Sequence, residues 1–387
     1  MMMEESVVKV AVLKERRPGE TRVAATPETV KKMVALGMDV TLEKDAGLEA
    51  SYNDEAYKAA GAKIATNAAN AVKGADVVLK VRAPLGVAED KVNEMGMLPE
   101  KALLIGMLAP HNGKEALQAY AREGVSTLSL ELIPRITRAQ SMDVLSSQSN
   151  LSGYRAVLEA TNAYGRSFPM MMTAAGTVPA ARVLIIGAGV AGLQAIATAR
   201  RLGAIVSAFD VRAAAKEQVE SLGAKFIEVE ADEAGEGQGG YAKEMSEDYK
   251  KRQAERMAEV LKTSDIVITT ALIPGKPAPR LVTKDMIKTM KPGSILVDMA
   301  IESGGNVEGA KADKVVDIDG VKIIAPLNLA GRLAAESSAL YSRNVLSLLN
   351  LIYDAEKKAV NLNFEDEIIK ASVLTHGGKI VHPAYKS

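Results

Sequence analysis

The sequence contains no cysteine, which removes disulfides, thiolate nucleophiles and cysteine-ligated zinc from consideration. Its three histidines, His111, His376 and His382, fall at spacings that match no metal-ligand pattern. Net charge is also missing. The 48 basic residues balance 48 acidic ones, so there is no electrostatic footprint for nucleic acid or for an anionic membrane. No serine sits in a nucleophile-elbow pattern, and Gly275-Lys276 lacks the rest of a phosphate-binding P-loop. Long apolar runs are absent as well. The longest uncharged stretch, 183–199, holds three glycines, and 167–181 is broken by Pro169, Gly176 and Pro179, so direct membrane insertion is not expected. The acidic opening runs straight into a predicted strand and does not read as a signal peptide.

What is present suits two soluble domains. The chain has 387 residues, 48% of them hydrophobic and 25% charged, more than one ordinary core would hold. Short β-rich runs alternate with helical patterns, which predicts parallel sheets covered by helices. In the first half, strands are expected at 7–13, 39–43, 76–81, 102–107 and 125–131. A helix is expected from Pro27, with Thr26 as its N-cap. In the second half, strands are expected at 182–186, 205–209, 225–229, 265–270, 294–299 and 322–324, the last completing the sheet. Between the halves, 135–164 reads as a long helix crossing between domains, entered near 140–143. An apolar helix at 340–353 is placed to return the chain to the first domain. The fold class is α/β: two Rossmann-like, doubly wound parallel-sheet domains joined by long helices, with an interdomain cleft. The expected division is 1–140 plus 331–387 against 141–330.

One motif carries chemistry. The strand at 182–186 runs into Gly187-x-Gly189-x-x-Gly192, and a helix-forming segment follows at once. The first glycine permits the tight turn, the second lets backbone approach a pyrophosphate, and the third lets helix pack on strand. The helix N-terminus then faces the negative charge. The next strand ends in Asp210, near the spacing of the acid that binds an adenosine ribose. A carboxylate there favours NAD(H) over NADP(H), because it repels a 2′-phosphate. A glycine-rich acidic stretch near 230–250 opposes burial and reads as a mobile surface excursion. It is either a flap tipped by Tyr241 or a tolerated insertion. The triplet Met170, Met171 and Met172 reads as packing beside the interdomain cleft.

Four stretches carry a family resemblance: KERRPGETRVA at 14–24, PRITRAQSMDVLSSQS at 134–149, the segment 172–199 around the glycine turn, and TTALIPGKPAP at 269–279. Through them the chain resembles, over essentially its full length, the transhydrogenase branch of the alanine dehydrogenase/transhydrogenase family. The resemblance implies an NAD(H)-binding component that exchanges hydride with NADP(H) held on a separate subunit. Membrane-spanning subunits would couple that transfer to proton translocation. It further implies a Re/Si-specific enzyme, a homodimer, and a cytoplasmic location peripheral to the inner membrane.

By motif, Arg135, Gln140, Asp143 and Ser146 should surround the nicotinamide end. Gly187, Gly189, Val190, Gly192, Asp210, Val211, Arg212, Tyr241, Thr270, Ala271 and Leu272 should bind the rest of the nucleotide. Taken alone, the Arg135–Ser146 set would read as an ordinary polar helix face. Hydride transfer between two nicotinamides needs no protein acid or base, only alignment at about 3–3.5 Å and exclusion of water. Arg135 and Asp143 together would fix the carboxamide, and Gln140 offers both a donor and an acceptor.

An alanine dehydrogenase-like activity is the alternative. Lys80 and Arg22 match that group's substrate-gripping positions, but Met107 stands where its catalytic histidine belongs and Glu302 where it has Asp. His111 is expected in the following loop. A non-catalytic NAD-sensing module would share the glycine turn.

Overall fold

A computed structural model describes residues 7–86, 89, 92–112, 114–229, 235, 245–273 and 275–386. The chain divides into two compact units, 1–148 with 331–387, and 149–330. The division falls inside the helix Val144–Ala163 rather than at 140/141.

In the first unit an eight-stranded sheet forms, because its strands alternate apolar side chains between two covered faces. Val10, Val12, Val77 and Leu79 enter one core, shared with Tyr341, Val345 and Leu349 of the helix Ala334–Ile352. Ala11, Leu13 and Val78 enter the other, with Leu117 and Tyr120. The strand order is Lys63–Ala65, Asp39–Glu43, Lys9–Val12, Val77–Arg82, Leu103–Met107, Ser126–Ser129, Val373–His376 and Lys379–Ile380. The first six run parallel; the last two are antiparallel additions from the C-terminal segment. The expected N-terminal helix forms at Pro27–Ala35, where the Thr26 N–H donates to Thr29 Oγ1 at 3.0 Å.

In the second unit seven strands order as Lys225–Phe226, Ile205–Phe209, Arg182–Ile186, Ile266–Thr269, Ile295–Asp298, Val321–Ile324 and Val315–Ile318. Arg182–Ile186 and Ile266–Thr269 lie side by side in register, Val183 opposite Ile266. Their connections leave in opposite directions, so the crevice beyond their C-terminal ends is a topological switch point, the usual ligand position in such sheets. Val321–Ile324 is, as expected, the last strand of this sheet in chain order, but it is not the edge. Val315–Ile318 pairs outside it antiparallel, an edge hairpin turned by Asp319 and Gly320, both at positive φ.

The long helix expected to be entered near 140–143 forms at Val144–Ala163, preceded by a 3₁₀ turn, Thr137–Met142, and extended backbone at Asp143. One further expectation needs correction: the methionine triplet is not packed. Met171–Thr173 and Gly176–Val178 form a separate two-stranded ribbon, with Met170, Met171 and Met172 exposed by 61%, 43% and 81%.

Candidate functional site

The glycine turn is built as its spacing requires. Gly187 sits at φ +100°, a conformation that favours glycine. A Cβ on Gly192 would lie 1.8 Å from the Gly187 carbonyl oxygen, so only glycine lets the helix Val190–Arg201 start this close to the strand. A Cβ on Gly189 would meet nothing within 4 Å. That glycine is therefore not demanded by the protein's own packing, and the open space beside it fits the approach of a ligand's phosphates. Gly189 is also the helix N-cap and brings no side chain to the first-turn N–H groups, the arrangement that receives an anion.

A glycine that pattern reading missed supports the same place. Gly153 lies within the helix Val144–Ala163, and a Cβ there would fall 2.0 Å from the Ala191 carbonyl oxygen. Glycine inside a helix is unfavourable by about 0.5–1 kcal/mol, which was the available signal that something packs close.

Asp210 directly follows the neighbouring strand Ile205–Phe209 and is buried. Its Oδ2 accepts from the Ala188 N–H at 2.7 Å, inside the glycine turn. Its Oδ1 accepts from the Arg212 N–H at 2.9 Å, and the Arg212 guanidinium spans both oxygens at 2.8 and 2.7 Å. A carboxylate has about four acceptor positions, and these donors engage them all. A ribose hydroxyl would therefore have to exchange with Arg212. Across the crevice, Thr270 Oγ1 donates to the Gly187 carbonyl at 2.9 Å. Ala271 is held on both sides by the Asn306 carboxamide, at 3.1 and 2.9 Å. Buried Asn306 also donates to the Pro279 carbonyl at 2.8 Å. Val190 and Leu272 remain exposed at this turn and loop, and Val211 follows Asp210. Tyr241 lies outside the described residues.

The segment expected near the nicotinamide belongs to the first unit. Arg135 and Gln140 are exposed, whereas Asp143 and Ser146 are half-buried. Asp143 caps the helix that begins at Val144: the Ser146 N–H donates to its Oδ1 at 2.9 Å, and Ser146 Oγ to its Oδ2 at 2.5 Å. Of the four, then, only Ser146 is on the helix, and its hydroxyl is directed at Asp143.

Lys80 and Arg22 are bound to the protein itself. Lys80 Nζ, buried, donates to both oxygens of buried Glu94 at 2.9 and 3.1 Å and lies 3.5 Å from Glu15. Arg22 forks onto Glu20 at 2.7 and 2.6 Å and donates to Gln148 at 2.9 Å. Burial acts to raise the Glu20 carboxyl, but the hydrogen bonds and charge of Arg22 outweigh it and hold the group below its usual range. Burial pushes the Glu15 carboxyl up against the opposing charge of Lys80. Glu302 accepts from the Asn328 N–H at 3.0 Å, and His111 meets the Tyr385 hydroxyl at 3.0 Å. No helix among the described residues is long and apolar enough to cross a membrane.

Comparison with known proteins joins these features. The N-terminal domain pattern of the alanine dehydrogenase/PNT family matches residues 11–152, and its C-terminal domain pattern matches 156–383. The chain is 52% identical to an NAD(P) transhydrogenase subunit alpha polypeptide of Rhodospirillum rubrum over 379 residues, covering 97% of this chain and 98% of that one. It matches the crystal structure of transhydrogenase from Sinorhizobium meliloti with a TM-score of 0.84 at 50% identity, covering 97% of this chain and 99% of that one. Alanine dehydrogenase 1 of Staphylococcus aureus is 29% identical, over 98% of this chain and 96% of its own.

Proposed function

Because this chain belongs to the alanine dehydrogenase/PNT family, we propose that it is the NAD(H)-binding component of a proton-translocating, Re/Si-specific NAD(P)+ transhydrogenase. Hydride then passes between NADH on this chain and NADP+ on a partner subunit, and membrane-spanning subunits couple the transfer to proton movement. The observation that carries the reading is the glycine cradle, with Gly192 demanded by packing and Gly189 left open. When bound, the nicotinamide supplies or accepts the hydride.

This chain's contribution is to bind, orient and exclude water. Gly187, Gly189 and Gly192 shape the phosphate turn; Val190, Thr270, Ala271 and Leu272 line its mouth. Asp210, Val211 and Arg212 receive the adenosine ribose, with Tyr241 on the covering loop. Arg135, Gln140, Asp143 and Ser146 orient the nicotinamide end. The Asp210 carboxylate favours NAD(H) because its oxygens accept from hydroxyls and repel a phosphate. A ribose hydroxyl reaches the carboxylate by taking over an acceptor position that Arg212 occupies.

The exposed methionine ribbon supports a homodimer. An isolated two-stranded ribbon is marginal in water, and a clustered apolar surface marks a contact. The cytoplasmic location, at the inner membrane through partner subunits, follows from the same reading. An alanine dehydrogenase activity is disfavoured by the pairing of Lys80 with Glu94 and of Arg22 with Glu20, and by Met107, which cannot move a proton.

Equilibrium dialysis with NADH and NADPH, followed by stopped-flow mixing with the NADP(H)-binding subunit, tests the proposal. Absence of hydride transfer to a competent partner sinks it, and alanine-dependent NADH formation by the chain alone would install the dehydrogenase reading. Gln140→Asn should leave NADH affinity within about twofold but slow transfer about tenfold or more, since the residue orients rather than anchors. Equal losses of affinity and rate would contradict that role.

A further inference from the structure

We infer that Asn344 is a positioning residue for hydride transfer, clamping the chain on both sides of Asp143. The inference rests on the proposed function and concerns how its nicotinamide segment is held. Asn344 lies on the helix Ala334–Ile352, far from that segment in sequence, and is 8% exposed. Its Nδ2 donates to the Ser141 carbonyl at 2.8 Å, inside the 3₁₀ turn that carries Gln140. Its Oδ1 accepts from Ser147 Oγ at 2.8 Å, in the first turn of the following helix. One carboxamide therefore bridges the break in the chain at which Asp143 stands.

The chemistry of the bridge selects asparagine. One end must donate to a carbonyl and the other must accept from a hydroxyl, which an amide does and a carboxylate does not. With aspartate, an oxygen would face the Ser141 carbonyl; with leucine, both bonds of the bridge would be lost. The clamp is continued inward. Gln148 Nε2 donates to Ser147 Oγ at 3.3 Å and to the Ser337 carbonyl at 3.1 Å, and its Oε1 accepts from Arg22. The segment that bears Gln140 is thus referenced to the buried Arg22–Glu20 pair through Asn344. A displacement of about 1 Å is enough to slow an aligned transfer about 100-fold while leaving binding nearly unchanged.

The experiment compares wild type with Asn344→Leu, Asn344→Asp and Ser147→Ala. NADH affinity is read by equilibrium dialysis, single-turnover transfer to the NADP(H)-binding subunit by stopped flow, and amide hydrogen exchange across 137–146 by mass spectrometry. Both Asn344 variants are expected to bind NADH within about threefold of wild type. They should transfer hydride about tenfold to 100-fold more slowly, with faster exchange confined to 137–146. Ser147→Ala, which keeps the Ser141 bond, should show a smaller loss of rate in the same direction. Unchanged transfer per folded molecule, affinity losses as large as the rate losses, or unaltered exchange across 137–146 would each overturn the inference. Wild-type chain that binds NADH yet passes no hydride refutes the functional reading instead, and exchange across 137–146 then decides the clamp by itself.

Discussion

From the Lys63–Ala65 edge of one sheet and the Lys225–Phe226 edge of the other, the first five strands follow the same chain order, third, second, first, fourth, fifth; the sixth place holds the sixth strand in the first unit and the seventh, Val321–Ile324, in the second. The two units differ in what leaves the first strand. After Lys9–Val12 come Leu13, Lys14, Glu15 and Arg16, and the crevice region fills with ion pairs: Arg16 with Glu43 and Glu94, Lys80 with Glu94 and Glu15. After Arg182–Ile186 come the glycines, which bring backbone N–H groups forward and leave room beside Gly189. Two units with this shared strand order thus present different crevices, one filled by ion pairs and one with open space beside Gly189. Side chains at a strand exit, rather than sheet order, decide whether a switch point is a site or a plug.

The sharpest way to break this comparison is at the glycines. Gly192→Ala should abolish measurable NADH binding and lower the melting temperature, because its Cβ would overlap the Gly187 carbonyl. Gly189→Ala should leave the melting temperature unchanged yet weaken NADH about tenfold or more, since only a ligand would meet the new methyl. Unchanged affinity in Gly189→Ala would show that the open space is not a phosphate cradle.

On the plugged side, Glu94→Gln removes the buried counter-charge of Lys80 and Arg16. It should cost about 3–5 kcal/mol in urea unfolding and leave NADH affinity as it was. A parallel loss of affinity in the folded variant would mean that the first unit's ion network belongs to the nucleotide site. A smaller effect is expected at Asp210→Asn. Loss of the charge-assisted bonds should weaken NADH by about tenfold and narrow the discrimination against NADPH; an unchanged preference in equilibrium dialysis refutes the ribose assignment.

The smallest expected effect is in acid. The folded Glu20 carboxyl is held below its ordinary value of 4.5, so the unfolded chain binds more protons between the two values. Its stabilisation is complete above about pH 4.5 and is lost as pH falls through the folded value. Wild type should therefore lose stability more steeply than Glu20→Gln on going from about pH 5 to pH 3; parallel curves would remove Glu20 from the network's acid response.

Legibility in the sequence followed how local each feature is. The central strands of both sheets were readable because they are continuous apolar runs, and three strands, Asp39–Glu43, Arg182–Ile186 and Ile205–Phe209, have the expected bounds. The antiparallel edges Val315–Ile318, Val373–His376 and Lys379–Ile380 were not read, being short and only partly apolar. The entry of the long helix near 140–143 was legible and the helix starts at Val144, where Asp143 caps it with its own carboxylate; the 3₁₀ turn Thr137–Met142 before it was not, because 137–146 keeps a helical polar pattern. The methionine triplet misled because apolar residues next to a glycine-rich unit suggest packing, whereas the ribbon they form lies on the surface.

The sequence alone determined the glycine turn. Its requirements, a positive φ, a bare approach and a close helix, are met by residues within six positions of one another, and no distant partner can supply them. Tertiary structure alone decided what the charged residues are for. Lys80 and Arg22 have the same composition whether they grip a substrate or neutralise Glu94 and Glu20, and only the folded chain brings those carboxylates to them. It alone decided that Asn344 reaches Ser141 and Ser147, and that Gly153 must yield to Ala191. A hydrogen bond or a close contact between residues far apart in sequence leaves no periodicity to read. Its energy is set by distance and burial, which exist only once the chain has packed.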